Sequence, residues 1–222
     1  ITISHKKRVP VLINYTYDSR RFEKTPDESD INKQKQLDQI IIEDWFPNNQ
    51  IISGDEIGRL TNELIHDVSE LLPKRALIVL SSLAKQANVS NRVNLLITSI
   101  LQNCSWLYRW RANGKGGTTS GTYYICATPQ ENNIFNQLER KLKDISQAFS
   151  QLALPINHSV IYTNSSTNLN IKSDSIDYIF TDPPFGSNIM YSELNFMWEV
   201  WLRALTNNKK EAIENRTQGK ST

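Results

Sequence analysis

The sequence predicts an α/β protein: part of a doubly wound sheet over residues 70–205, an accessory segment over 1–69 and a polar, disordered tail over 206–222. Three observations lead there. Residues 132–181 run in the order helix, strand, turn, strand, the rhythm of such a sheet. The last apolar run, Ile176-Asp177-Tyr178-Ile179-Phe180-Thr181, stops at Asp182-Pro183-Pro184-Phe185. A stripe at the helical period follows, carrying Met190, Leu194, Met197, Trp198, Trp201 and Leu205.

The elements can be justified in order. Residues 9–17 alternate enough for a strand, with Ser4-His5-Lys6-Lys7-Arg8 leading in as a turn or partner strand. Residues 18–39 are charged and poor in apolar groups, an exposed connection into a short helix. Ile40-Ile41-Ile42 with Trp45-Phe46 is the first cluster able to dock on a core, and Ser53-Gly54-Asp55-Glu56 reads as a turn. From Glu70 the helical period is clear in Leu71, Leu72, Ala76, Leu77, Leu80, Leu83 and Ala84. A second helix carries Val93, Leu96, Ile97, Ile100, Leu101 and Cys104 on one face, with Ser90 as its cap. Residues 122–128 have β-propensity and end at Pro129. A long amphipathic helix over 132–154 precedes a short buried strand, Val160-Ile161-Tyr162, and then the run that ends at Asp182.

Neither proline of the tetrad can donate to a sheet ladder, so a strand must end there. The residue before each proline is pushed towards extended geometry, which leaves a rigid corner. That corner carries a carboxylate, a carbonyl outside any helix ladder and an aromatic face. These groups suit a planar base with an exocyclic amine: two acceptors for its protons and a ring to stack on it. A strand-ending turn would use the same four residues. The position favours a site, because open α/β sheets bind ligands between a strand's carboxyl end and the next helix.

At these residues the chain resembles the amino-group DNA methyltransferases. The match is best in Thr181-Asp182-Pro183-Pro184-Phe185-Gly186-Ser187-Asn188 with Tyr191-Ser192-Glu193-Leu194, and it is nearest to the large bacterial methylases of restriction-modification and phage defence. Weaker similarity extends to Trp45-Phe46-Pro47, Gly54-Asp55, Lys74-Arg75 and residues 120–125. The resemblance implies a Rossmann-like fold, S-adenosylmethionine as cofactor and DNA as partner. It implies that Asp182 and the Pro183 carbonyl receive the two amine protons, with Pro184 and Phe185 completing the catalytic corner. Phe185 would stack on the extruded base, where many relatives have Tyr. It also places Asn164 and Ser165 in the loop that meets the methyl donor, although residues 164–167 lack the acid common there. Glu193 could line the site, whereas Glu199 reads as a surface residue.

The family's glycine-rich donor turn has no counterpart in this sequence. Gly114-Lys115-Gly116-Gly117 is the one glycine cluster, and it follows Trp106-Leu107-Tyr108-Arg109-Trp110-Arg111 instead of a buried strand. The chain starts at Ile1 and stops soon after the helix that follows the tetrad. The expectation is therefore the middle piece of a larger methyltransferase, inactive alone, with the remainder of the parent chain as its partner. The alternatives are an RNA or protein methyltransferase and a non-catalytic nucleic-acid-binding or assembly subunit. Protein-directed relatives tend to have Asn where Asp182 stands.

Composition adds limits. In 222 residues the formal charge is +2, so any attraction to DNA must come from local clusters. The best is Arg109, Trp110 and Arg111 with Lys115, where arginines interleaved with aromatics can meet phosphates and bases. The same pattern can be arginines lying over the edge of a core. Cys104 and Cys126 have no paired spacing, which suits free thiols in a reducing cytoplasm. His5, His66 and His158 are scattered, so no metal site is expected. No run is long enough to span a membrane and no signal peptide is visible.

Overall fold

A computed structural model describes residues 8–87, 90–112, 116–152, 160–161, 165, 168–183 and 186–220. Among them are six α-helices and one two-stranded antiparallel sheet, a mixed α/β architecture. Strands β1 (Ile13–Tyr17) and β2 (Arg20–Lys24) form a hairpin, with Tyr17 opposite Arg20 and Ile13 opposite Lys24. Asp18 and Ser19 between them both take positive φ, the twist that a two-residue hairpin turn requires. β1 thus pairs within the segment expected to be an exposed connection; residues 4–7, the expected lead-in, lie outside the described residues. Tyr15 and Phe22 stack across the hairpin at 5.5 Å between centroids.

Helix α1 (Glu28–Asp38) buries none of its residues and is held mainly by its ends. Asp27 accepts from the Asp30 amide while the Asp30 side chain accepts from the Asp27 amide, a reciprocal capping box. After the short α2 (Arg59–Asn62) and a 3-10 turn over Val68–Leu71, Pro73 leads into α3 (Lys74–Ala87). Helix α4 (Asn91–Ile100) starts at Ser90, whose hydroxyl accepts from the Arg92 amide, as expected. Helices α5 (Ile134–Gln151) and α6 (Tyr191–Leu202) follow.

The core is built between α3, α4 and α6. Leu77, Leu80 and Ala84 of α3 meet Ile97 and Ile100 of α4, and Phe196, Met197, Val200 and Trp201 of α6 close the cluster. Ile57, Leu60, Ile65 and Val68 belong to the same core, so it crosses the boundary expected between residues 69 and 70. The Trp198 indole donates to the Thr98 carbonyl at 2.9 Å and ties α6 to α4. Cys104 lies inside this core, and burial pushes its thiol pKa up to about 12. A thiol reagent at neutral pH is expected to label the half-buried Cys126 while leaving Cys104 protected until the chain unfolds. Equal labelling of both in the native state would contradict this packing.

The expected parallel strands take a different form. Residues 122–126 keep strand-like alternation, with Tyr123 and Ile125 buried and Tyr124 exposed, yet no ladder forms along them. Val160 and Ile161 are exposed and outside any strand, and Tyr162 lies outside the described residues. Residues 176–181 are likewise irregular and open to solvent, with Tyr178 80% and Phe180 81% exposed. Strand propensity expresses fit to a pleated neighbour, and none of these runs meets one among the described residues. No doubly wound sheet is present there. Among the described residues no helix is long and apolar enough to cross a membrane.

Candidate functional site

Asp182 and Pro183 stand exposed at the end of the irregular run 176–181. Pro184 and Phe185 lie outside the described residues. Immediately after them Gly186 has φ +52, a conformation that an L side chain strains to adopt. Its carbonyl accepts from the Glu214 amide at 3.2 Å, which pins the downstream end of the corner. Four residues on, Met190 opens α6, where Ser192 gives both its amide (2.9 Å) and its hydroxyl (2.6 Å) to the carboxylate of Glu211. An acid facing the first turn of a helix suits the partial positive charge there.

The residues that order this region come from segments for which other roles were expected. Glu193, expected to line the site, is fully buried. Its carboxylate accepts from the amides of Glu56 (2.8 Å), Ile57 (2.9 Å) and Asp55 (3.2 Å), and from the side-chain amide of Asn215. Asp55 in turn accepts from the Arg216 amide (3.2 Å), the Thr217 amide (3.1 Å) and the Thr217 hydroxyl. The Thr217 hydroxyl is the main cause that holds the Asp55 carboxyl below its ordinary pKa. Residues 206–220, expected to be a disordered tail, therefore fold back onto residues 53–57 and α6. Ile213 and Asn215 are buried there.

One sequence signal pointed to this arrangement. Glu193 precedes Phe196, Met197, Val200 and Trp201 on one helical face, so a carboxylate heads an apolar stripe. Such a group needs partners, and the turn around Gly54 supplies three consecutive N–H groups. Glu199 is not idle at the surface either: its carboxylate accepts from the Thr206 amide at 2.8 Å and from the Thr206 hydroxyl.

No protein-family model, curated protein or solved structure matches this chain. Its functional reading therefore rests on its own residues.

The donor loop and the nucleic-acid cluster expected from the sequence are described only in part. Ser165 is exposed, and Asn164 lies outside the described residues. Tyr108 to Trp110 form a short extended piece between two others: the Arg109 amide donates to the Gly117 carbonyl at 2.9 Å, and the Trp110 amide to that of Thr128 at 3.1 Å. Arg109 is half-buried, while Trp110 and Arg111 are exposed; Lys115 lies outside the described residues. No hydrogen bond or ion pair among the described residues joins Arg109, Trp110 or Arg111 to Asp182 or Pro183. An open cleft of about 530 Å³ is lined by Ile52, Ser53, Asn208, Lys209, Gln218, Gly219 and Lys220. No group of three acids, histidines or cysteines among the described residues is placed to hold a metal ion.

Proposed function

We propose that this chain carries the target-amine corner of an amino-group DNA methyltransferase. The observation that carries the reading is the exposed pair Asp182 and Pro183, set between an apolar run and a turn anchored at Gly186. In this reading Asp182 accepts one proton of an exocyclic amine and the Pro183 carbonyl accepts the other. Phe185 stacks on the base once it has left the duplex. The carboxylate acts by positioning and by stabilising positive charge as it develops on nitrogen. Trp110 and Arg111 supply exposed contacts for unstacked bases and phosphates.

The Rossmann-like sheet belongs to the same proposal. Ile176, Tyr178, Ile179 and Phe180 are exposed, and α5 presents Phe135, Leu142 and Phe149 to solvent. A strand and its crossover helix offer such surfaces until a sheet covers them. We place the covering strands in a longer polypeptide, a restriction-modification or defence methylase of which this chain is a part. Among the described residues no glycine turn follows a strand, and Ser165 is open to solvent. The donor site is assigned to that further chain.

Methyl transfer from labelled S-adenosylmethionine to duplex DNA by the full-length polypeptide tests the reading. Asp182→Ala is expected to lower transfer by about 100-fold or more, the scale for losing a preorganised charge-stabilising group, without loss of fold. Unchanged transfer would move the site elsewhere. Donor binding with no transfer to DNA would favour RNA or protein as substrate, and no donor binding would favour a non-catalytic subunit.

A further inference from the structure

Glu193 sits in the first turn of α6 with no solvent exposure, and every partner of its carboxylate lies outside its own helix. One oxygen takes the Glu56 and Ile57 amides; the other takes the Asp55 amide, the Asn215 side chain and, at 3.4 Å, that of Gln218. A buried charge persists only when its lone pairs are filled in this way. Asp55 reaches in the opposite direction and holds the backbone of Arg216 and Thr217. Two carboxylates therefore staple three segments that are remote in sequence: residues 54–57, the start of α6 and residues 215–218.

This staple leads to the corner by a short covalent and hydrogen-bonded path. Asn215 is bound to Glu193, and the residue before it, Glu214, donates its amide to the carbonyl of Gly186. Gly186 follows Phe185 directly. α6 leaves from the other side of the same turn, and Glu193 is its third residue. The downstream end of the corner and the start of α6 thus meet at one carboxylate.

We propose that Glu193 is the positioning residue for the amine-binding corner, acting through Asn215, Glu214 and Gly186. The role in transfer rests on the methyltransferase reading; the coupling of Glu193 to the corner does not. Glu193→Gln keeps the shape and the acceptor facing Glu56 and Ile57. Its new NH2 group would face both the Asn215 side-chain amide and the Asp55 backbone amide, donor against donor, and release the turn at 214–218. Adding Asn215→Asp restores a donor–acceptor pair at residue 215 with the polarity reversed, while the Asp55 amide stays without its acceptor.

Hydrogen exchange read by mass spectrometry on the full-length polypeptide separates the outcomes. In Glu193→Gln, peptides covering 186–190 and 214–218 are expected to exchange about tenfold faster, the effect of losing one charged hydrogen bond. The Glu193→Gln/Asn215→Asp double variant is expected to return 186–190 and 214–218 to within about twofold of the parent, because the contact at residue 215 is restored, while 54–57 stays faster. Faster exchange at 54–57 and 214–218 with 186–190 unchanged would overturn the proposal. If Glu193→Gln does not fold, Asn215→Ala is read on the same peptides, and a silent 186–190 there overturns it equally. In a polypeptide that methylates DNA, Glu193→Gln is expected to lower kcat with donor affinity unchanged, and the double variant to recover it. A parent with no methyl transfer defeats the methyltransferase reading and leaves the exchange result to decide the coupling.

Discussion

Gly54→Ala is expected to destabilise the chain by about 3 kcal/mol or more, the range for overpacking a core or stranding a buried charge. A methyl group at residue 54 would fall inside the Glu193 carboxyl group. Neither side can yield easily. Glu193 is enclosed, and its oxygens are held by three amides and Asn215. The Gly54 carbonyl accepts from the Gly58 amide at 3.1 Å, which fixes the backbone on the other side. If the carboxylate is expelled, three amides lose their acceptor; if the turn moves, the packing of Ile57 and Leu60 moves with it. Gly117→Ala is the control, since a methyl there meets nothing within 4 Å. Its effect is expected to stay within about 0.5 kcal/mol.

Urea midpoints at unchanged m-value give the comparison. The Gly54→Ala/Glu193→Ala double variant sharpens it, because removing the carboxylate makes room for the methyl. The pair is expected to couple by more than about 1 kcal/mol. Additive losses would mean that the glycine and the carboxylate do not share the space assigned to them.

The helices were legible because their information is local. Ser90 marks the start of α4, the stripe from Ile134 to Phe149 marks α5, and Met197 and Trp201 mark the buried face of α6. Each depends on a 3.6-residue period and a cap, both written within one segment. The runs at 122–128, 160–162 and 176–181 have the composition of strands, but a strand is completed by its neighbour, and that information lies elsewhere in a chain. Residues 206–220 were misjudged for a related reason. They lack apolar periodicity and are ordered by hydrogen bonds, from the side chains of Asn215 to Glu193 and Thr217 to Asp55 and from the Lys220 backbone amide to the Asn215 carbonyl at 2.9 Å.

Tyr123→Ala is expected to cost about 3–5 kcal/mol, as for other large aromatics removed from a core, and Tyr123→Phe about 1–3 kcal/mol for the hydroxyl alone. The ring is 2% exposed and packs in the main core. Its hydroxyl lies 3.0 Å from the Glu193 carbonyl and 3.1 Å from the Leu194 carbonyl, to which it can donate, and it accepts from the Met197 amide at 3.2 Å. Glu193 C=O and Met197 N–H are the two ends of one rung of the α6 ladder, so the phenol is bound to the helix at the turn that carries the buried carboxylate. Burial pushes the Tyr123 phenol well above its ordinary pKa, and the nearby Glu193 and Glu199 charges add to that, against a smaller opposing effect of the Met197 amide. A raised folded-state value means that this contribution is intact below the unfolded value of about 10 and is lost as pH climbs beyond it. Stability of the parent is therefore expected to fall more steeply above about pH 10 than that of Tyr123→Phe, which has no proton to lose there. Tyr124, exposed and adjacent, provides the comparison: Tyr124→Phe should change stability at neutral pH by no more than about 0.5 kcal/mol. Parallel alkaline curves for the parent and Tyr123→Phe would show that the phenol reaches solvent, and with it the first turn of α6 would lose its anchor to residue 123.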